Sequence, residues 1–482
     1  MRLTVTLRST LCGVGLVLGI IGSAAATDYV VSPTGNDSNP GTVASPFRTV
    51  QKGLNSARVP GDSVLVQNGV FHERLVFPSS GSVAGLIQLK AFGTDVPVID
   101  GTGVPGNHLV YIRNKSFLRI EGFEFRNNVN VVDGSGVRLE GAGTQIEIIN
   151  NDFHDLTGVS AMAITVYGTA AQPWSKILID SNEVFDCEPA PSEAITLNGN
   201  VTDFIVSRNG ITNVNNIGID CIGGEKSIQP NSSLVARNGL VKGNIVRRCR
   251  SNYEDGFAAG IYVDGGKSIV IDGNIISQCD VGLEIGAENK GLVTSAIVVQ
   301  NNLIFRNDKA GIAFGGYASN RGRTQSCRFI HNTVFQNDTL DAGFGQLWIQ
   351  FASGNTVANN IFVAGANKVL IASDAGNTKN VLDNNVWFSA SGASNVDITW
   401  NGRSYSTFAA YKSGAKQDAK SLFADPQLVN PAGAENFHLL PGSPAINAAD
   451  RTAARTTPFD VFGTARPQGL KPDIGAVEFV VP

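Results

Sequence analysis

Five carboxylates fall within one short stretch, "GIYVDGGKSIVIDGNIISQCDVGLEIGAENKG", at Asp264, Asp272, Asp280, Glu284 and Glu288. Paired carboxylates are the residues that general acid and base chemistry requires, one giving a proton while the other takes one or attacks. Carboxylate oxygens also suit hard cations. The same residues are equally at home on the solvated edge of a repeating structure, so their positions must decide among the three readings. Asp220, Glu193, Glu225, Glu254 and Asp255 extend the acidic neighbourhood.

The elements that carry these acids repeat. An asparagine followed by a branched or aromatic pair recurs at Asn151, Asn182, Asn209, Asn244, Asn274, Asn302, Asn332, Asn360 and Asn385, at intervals of 25 to 35 residues. Its setting, as in "SIVIDGNII" and "AIVVQNNLI", alternates apolar and polar residues with period two and ends in turn formers, which specifies short strands. No amphipathic helical run of ten or more residues separates the repeats. Three short strands per coil predict an all-β, right-handed parallel β-helix solenoid. The aligned asparagines are expected to hydrogen-bond along a stack.

A solenoid must be closed at both ends, because a terminal coil exposes apolar area and unpaired backbone. Residues 27–90, with a short helix expected over Phe47–Ala57, read as the N-terminal cap and first strands. Residues 91–408 read as the β-helix catalytic or binding domain. Residues 409–482, rich in Pro-Gly turns, read as the final coils and an irregular C-terminal closing segment.

Ahead of the cap, residues 1–26 have the form of a signal peptide: Arg2 and Arg8, an apolar run from Leu11 to Ile21, then Ala24-Ala25-Ala26. This predicts export to the periplasm or medium, without a membrane anchor. Charged residues make up only 16% and the net charge is −4, which disfavours nucleic acid as a partner. Cys187, Cys221, Cys249, Cys279 and Cys327 lack CxxC spacing and are expected as buried rungs, with one disulfide left open. No HExxH or GxSxG motif is present, and Gly265-Gly266 and Gly315-Gly316 are turn devices.

The segments "YVVSPTGNDSNPGT" with "SPFRTVQ", and "FHLLPGSPAINAAD" with "PDIGAVEF", resemble the caps of secreted bacterial right-handed parallel β-helix proteins, the pectate-lyase-like superfamily. The resemblance spans nearly the whole exported chain and concerns architecture more than chemistry. It implies a carbohydrate-active protein. In β-helical glycosidases two acids on neighbouring coils act together, as the Asp264 and Glu284/Glu288 phrases would. Related lyases use a basic side chain and often calcium-bound acids, but the "GFKLG"-like lysine phrase of one such family is absent here.

Strand alternation turns Ile261, Val263, Leu283 and Ile285 inward, leaving Tyr262, Asp264 and Glu284 outside. The projected outer column is Arg138, Thr165, Thr196, Asp220, Tyr262, Glu284 and Ala313, with Trp348 near the same line. Asp264 and Glu284 then have Cα atoms roughly 8 Å apart, and Asp220 lies about 9.6 Å from Glu284. The expected catalytic residues are Asp264 as nucleophile or base, Glu284 as proton donor, and Glu288 as the rival to Glu284. Asp220, Tyr262, Arg138, Lys290 and Trp348 are expected to bind substrate. Tyr167, Tyr253, Phe257 and Tyr317 are further aromatics for a glycan path, and Arg138, Lys290 and Arg306 are bases suited to a uronate. Glycan hydrolysis is the leading expectation, with β-elimination and noncatalytic glycan binding as alternatives. No cofactor or metal is assigned, although the dispersed acids leave calcium open.

Overall fold

The computed structural model describes residues 25–252, 255–452 and 455–480. The chain winds through three long sheets of 16, 13 and 13 strands, parallel except for one antiparallel pair at the end of a 13-stranded sheet. Successive coils add strands to all three, three extra strands lie alongside the main run of the largest, and a small two-stranded sheet lies near the C-terminus. No helix among the described residues is long and apolar enough to cross a membrane.

The site depends on one of the 13-stranded sheets. Its relevant strands are β1 (Val131–Glu140), β2 (Gly158–Gly168), β3 (Ile195–Gly199), β4 (Ile219–Ile222), β5 (Ala259–Asp264), β6 (Val281–Gly286), β7 (Ala310–Gly315) and β8 (Leu347–Gln350). Val137, Ile164, Ile195, Ile219, Ile261, Leu283, Ile312 and Leu347 stack in register on the inner face, all inaccessible to water. Burying each such side chain contributes about 1.5–3 kcal/mol. Register is therefore pinned, since a slip of one residue would turn this column into solvent.

The asparagine stack is continuous. From Asn151 to Asn385 each Nδ2 donates to the next Oδ1 at 2.9–3.1 Å. All nine are 0–1% exposed. The stack ends on the closing segment, where Asn385 Nδ2 donates to Asp418 Oδ1 and its backbone N–H to Ser421 Oγ. The five cysteines are buried free thiols.

The N-terminal helix is shorter than the expected Phe47–Ala57, covering Val50–Ser56. Thr49 caps it, and Phe47 instead stays extended, exchanging backbone hydrogen bonds with Val30 and Ser32. At the other end the helix Phe408–Ala415 packs on the last coils. The remainder does more than close that end. It folds back along the flank, where Phe437, Leu439, Ile474 and Val477 cover the outward-facing Leu303, Phe305, Phe335 and Ile361.

Candidate active site

The outer column lies where alternation predicts. Arg138, Thr165, Thr196, Asp220, Tyr262, Glu284, Ala313 and Trp348 are paired successively across β1 to β8. Asp264 pairs with Gly286, one coil on and two residues beyond Glu284. Gly286 has no side chain because the Tyr262 hydroxyl occupies that space; a Cβ there would lie 2.8 Å from it.

After β6 the chain leaves the repeat in a short excursion, Ala287–Leu292. Ala287 and Leu292 bury against Val235. Leu292 also covers Gly265 and Gly224, both at positive φ, where an added Cβ would come within 2.1 and 2.8 Å of its Cδ2. Asn289 Nδ2 donates to Glu225 Oε1 at 2.7 Å, and the Glu288 backbone N–H donates to Asp264 Oδ1 at 2.8 Å. The excursion is thus a fixed wall, and Glu288 stands exposed on it.

This wall divides a groove into two cavities. The larger, 540 Å3, includes Glu284, Glu288, Tyr262, Phe257, Tyr317 and Trp348. The smaller, 350 Å3, includes Glu193, Asn198, Asp220, Glu225, Asp264 and Glu288. Ile217, Tyr262 and Glu288 border both. Glu284 and Asp264 therefore open on different cavities, and Glu288 is the carboxylate common to them.

Burial governs the ionisation of this cluster. It pushes the half-buried Glu284 up to about 8, reinforced by the negative charge of Glu288. Glu193 rises to about 7 by burial, although the Thr196 hydroxyl donates to it at 2.7 Å. Burial also holds Asp220 and Asp264 well above the ordinary carboxylate range, with Glu193 the leading charge neighbour of the first and Glu288 of the second. Carboxyls so held are proton donors near neutral pH.

The other candidates are placed as follows. Trp348 is half-buried and stacks on Phe344 with ring centroids 4.0 Å apart, beside the exposed Phe257. Arg138 is buried, held by Asp133 through bonds of 2.9 and 3.0 Å and lying over the Tyr167 ring at 4.0 Å; it lines neither cavity. Lys290 is exposed and also outside both linings. Arg306 is turned to the closing segment, donating to Pro431 O. Asp272 pairs with Lys242, and Asp280 accepts the Ser251 and Ala258 N–H groups. Tyr253, Glu254 and residues 1–24, most of the expected signal peptide 1–26, lie outside the described residues.

Sequence reasoning passed over Asn198 and Phe344. Asn198 was reachable, since it stands two residues along β3 from the outward Thr196 and pairs with Tyr167. Phe344 sits in the irregular "LDAGFGQ" turn, where no alternation operates. Among the described residues no three His, Cys, Asp or Glu side chains converge as a metal site would require.

The fold and groove define a right-handed parallel β-helix protein, and residues 108–332 match the model of the right handed beta helix region. The chain belongs to the family of the uncharacterized protein YwoF of Bacillus subtilis (strain 168), to which it is 33% identical over 435 residues, 87% of this chain and 92% of that one. Among solved structures it is similar to pectate lyase Pel9A, with a TM-score of 0.54 and 14% identity over 95% of this chain and 97% of that one. XylC, solved with xylose, gives 0.51 and 12% over 94% and 98%. Likeness at these identities extends to the fold.

Proposed function

We propose that the protein is an exported glycoside hydrolase acting on a polysaccharide or oligosaccharide laid along the groove. The observation that carries this reading is the pairing, in the 540 Å3 cavity, of half-buried Glu284 with exposed Glu288 beside an aromatic platform. Such a pair has the unequal surroundings that separate an acid from a base. Glu284 gives its proton to the glycosidic oxygen as the bond to the anomeric carbon breaks. Glu288 either takes a proton from the attacking water or attacks that carbon itself, forming an ester that water then cleaves. Asp264, the base expected from the sequence, opens on the other cavity, and in this reading it holds the Glu288 backbone through their 2.8 Å hydrogen bond.

Elimination from a uronate needs a base and a counter-charge for the substrate carboxylate. Among the described residues no Lys or Arg lines either cavity, which favours hydrolysis, while Lys309 over the Phe257 ring and Arg321 over the Tyr317 ring are the cations at the rim that a lyase reading would use. The test is digestion of a panel of plant, algal and microbial glycans with mass analysis of the products. Products carrying one added water, lost in Glu284→Gln and Glu288→Gln, are the expected result. Unsaturated ends would make the protein a lyase, and binding without new ends would make it a glycan-binding protein.

A further inference from the structure

The 350 Å3 cavity is lined by carboxyl, amide and hydroxyl groups, five of its described lining residues being Asp or Glu and none Lys or Arg. Asn198 Oδ1 and Asp220 Oδ1 are fully buried there without a hydrogen-bond partner, on side chains only 5% and 2% exposed. Two such oxygens on one wall are a site awaiting donors, because native structures rarely leave buried acceptors unpaired. Glu193, Glu225, Asp264 and Glu288 face the same space, with the Tyr167 and Tyr262 phenols at its edges. Arg138 lies over the Tyr167 ring at 4.0 Å, is bound to Asp133 and does not line the cavity.

These facts select among ligands. A uronate would add an anion to a space already walled by carboxylates. An inorganic cation needs several oxygens converging at one point, and among the described residues no three acidic side chains do so. The volume lies at the lower end of the range for organic ligands. An ammonium group offers three donors and one positive charge, matching both the orphan acceptors and the acids.

We propose that this cavity recognises a protonated amino group of the substrate, so that the glycan is one with free amino sugars. The proposal rests on the groove being a glycan site, as argued above. Burial holds Asp220, Glu193 and Asp264 toward their protonated forms. An arriving ammonium favours their ionised forms, so binding releases protons to the buffer.

The test is titration calorimetry of the full exported chain at pH 6 with glucosamine tetramer, the N-acetylglucosamine tetramer and tetragalacturonate. The glucosamine tetramer should bind at least about tenfold more tightly than either other probe. Its enthalpy should depend on the buffer in the sense of proton release, and affinity should fall as salt rises. Asp220→Asn should lose about tenfold or more in affinity. Glu193→Gln, which keeps the hydrogen-bonding shape, serves as the second variant should the first not fold. Equal or tighter binding of the acetylated or acidic probe overturns the proposal, as does failure of the glucosamine tetramer to bind at millimolar concentration. So does an affinity untouched by a folded variant, or displacement of the probe by equimolar calcium chloride. Cleavage of neutral glycans with no preference for amines would sink this inference alone. Binding of the glucosamine tetramer without any cleavage would sink the hydrolase reading alone.

Discussion

Glu284→Gln should separate catalysis from stability in opposite directions. A carboxyl held at about 8 rather than its ordinary 4.5 is disfavoured in its ionised form by about 4–5 kcal/mol. The sign follows from proton binding: the folded chain holds this proton more tightly than the unfolded chain. The wild type therefore bears no penalty from Glu284 below pH 4.5, loses stability as pH rises from there toward 8, and carries the full penalty beyond. Glutamine has nothing to ionise. The variant should match the wild type at pH 4 and exceed it at pH 9 by up to a few kcal/mol, read from urea unfolding monitored by circular dichroism. Removing a general acid should meanwhile lower kcat by about 100- to 10,000-fold on the glycan identified by digestion. The wild-type rate should decline on the alkaline side near pH 8. A variant retaining more than a tenth of the activity, or showing no stability gain at pH 9, would refute the assignment of Glu284 as a buried proton donor.

Three further outcomes are expected. Asn274→Ala strands the Asn244 side-chain amide and the Val241 carbonyl, which now bond at 2.9 and 3.1 Å, so urea unfolding should show a loss of about 2–5 kcal/mol. Gly265→Ala places a methyl within 2.1 Å of Leu292 at a φ of +80°, displacing the wall that carries Glu288; kcat should fall while far-ultraviolet circular dichroism is unchanged. Trp348→Ala removes the partner of Phe344 two coils from Glu284, and should raise KM for long substrates more than it lowers kcat.

The scaffold was legible because its physics is periodic. Alternation across "GIYVD" and "GLEIG" turns Ile261, Val263, Leu283 and Ile285 into the core, and the paired register places Asp220, Tyr262 and Glu284 in one line outside. The asparagine spacing likewise announces a stack whose bonds run unbroken to Asn385. Ends and excursions are different. The start of the helix near Phe47 depends on which residue caps it, and the flank taken by residues after 427 depends on apolar side chains far away in sequence. A period-two pattern carries information about neither. Nor does it show that the bond from buried Arg138 to exposed Asp133 turns a base away from the groove.

The division of the groove follows from the one place where the sequence breaks its own rhythm. Each coil stacks nearly identical backbone on the last, so the outer face by itself can offer only rows of side chains at about 4.8 Å spacing. Such rows bring carboxylates near one another without giving them unequal surroundings. The Ala287–Leu292 excursion supplies the inequality. Leu292 fixes it over two glycines, Asp264 and Glu225 tie down its backbone and Asn289, and Glu288 is left exposed where Glu284 is half-buried. A half-buried strand carboxyl facing an exposed loop carboxyl has the unequal surroundings that acid and base roles require. The glycines at 224 and 265 are therefore as necessary to the proposed chemistry as the acids, because without them the wall has no seat.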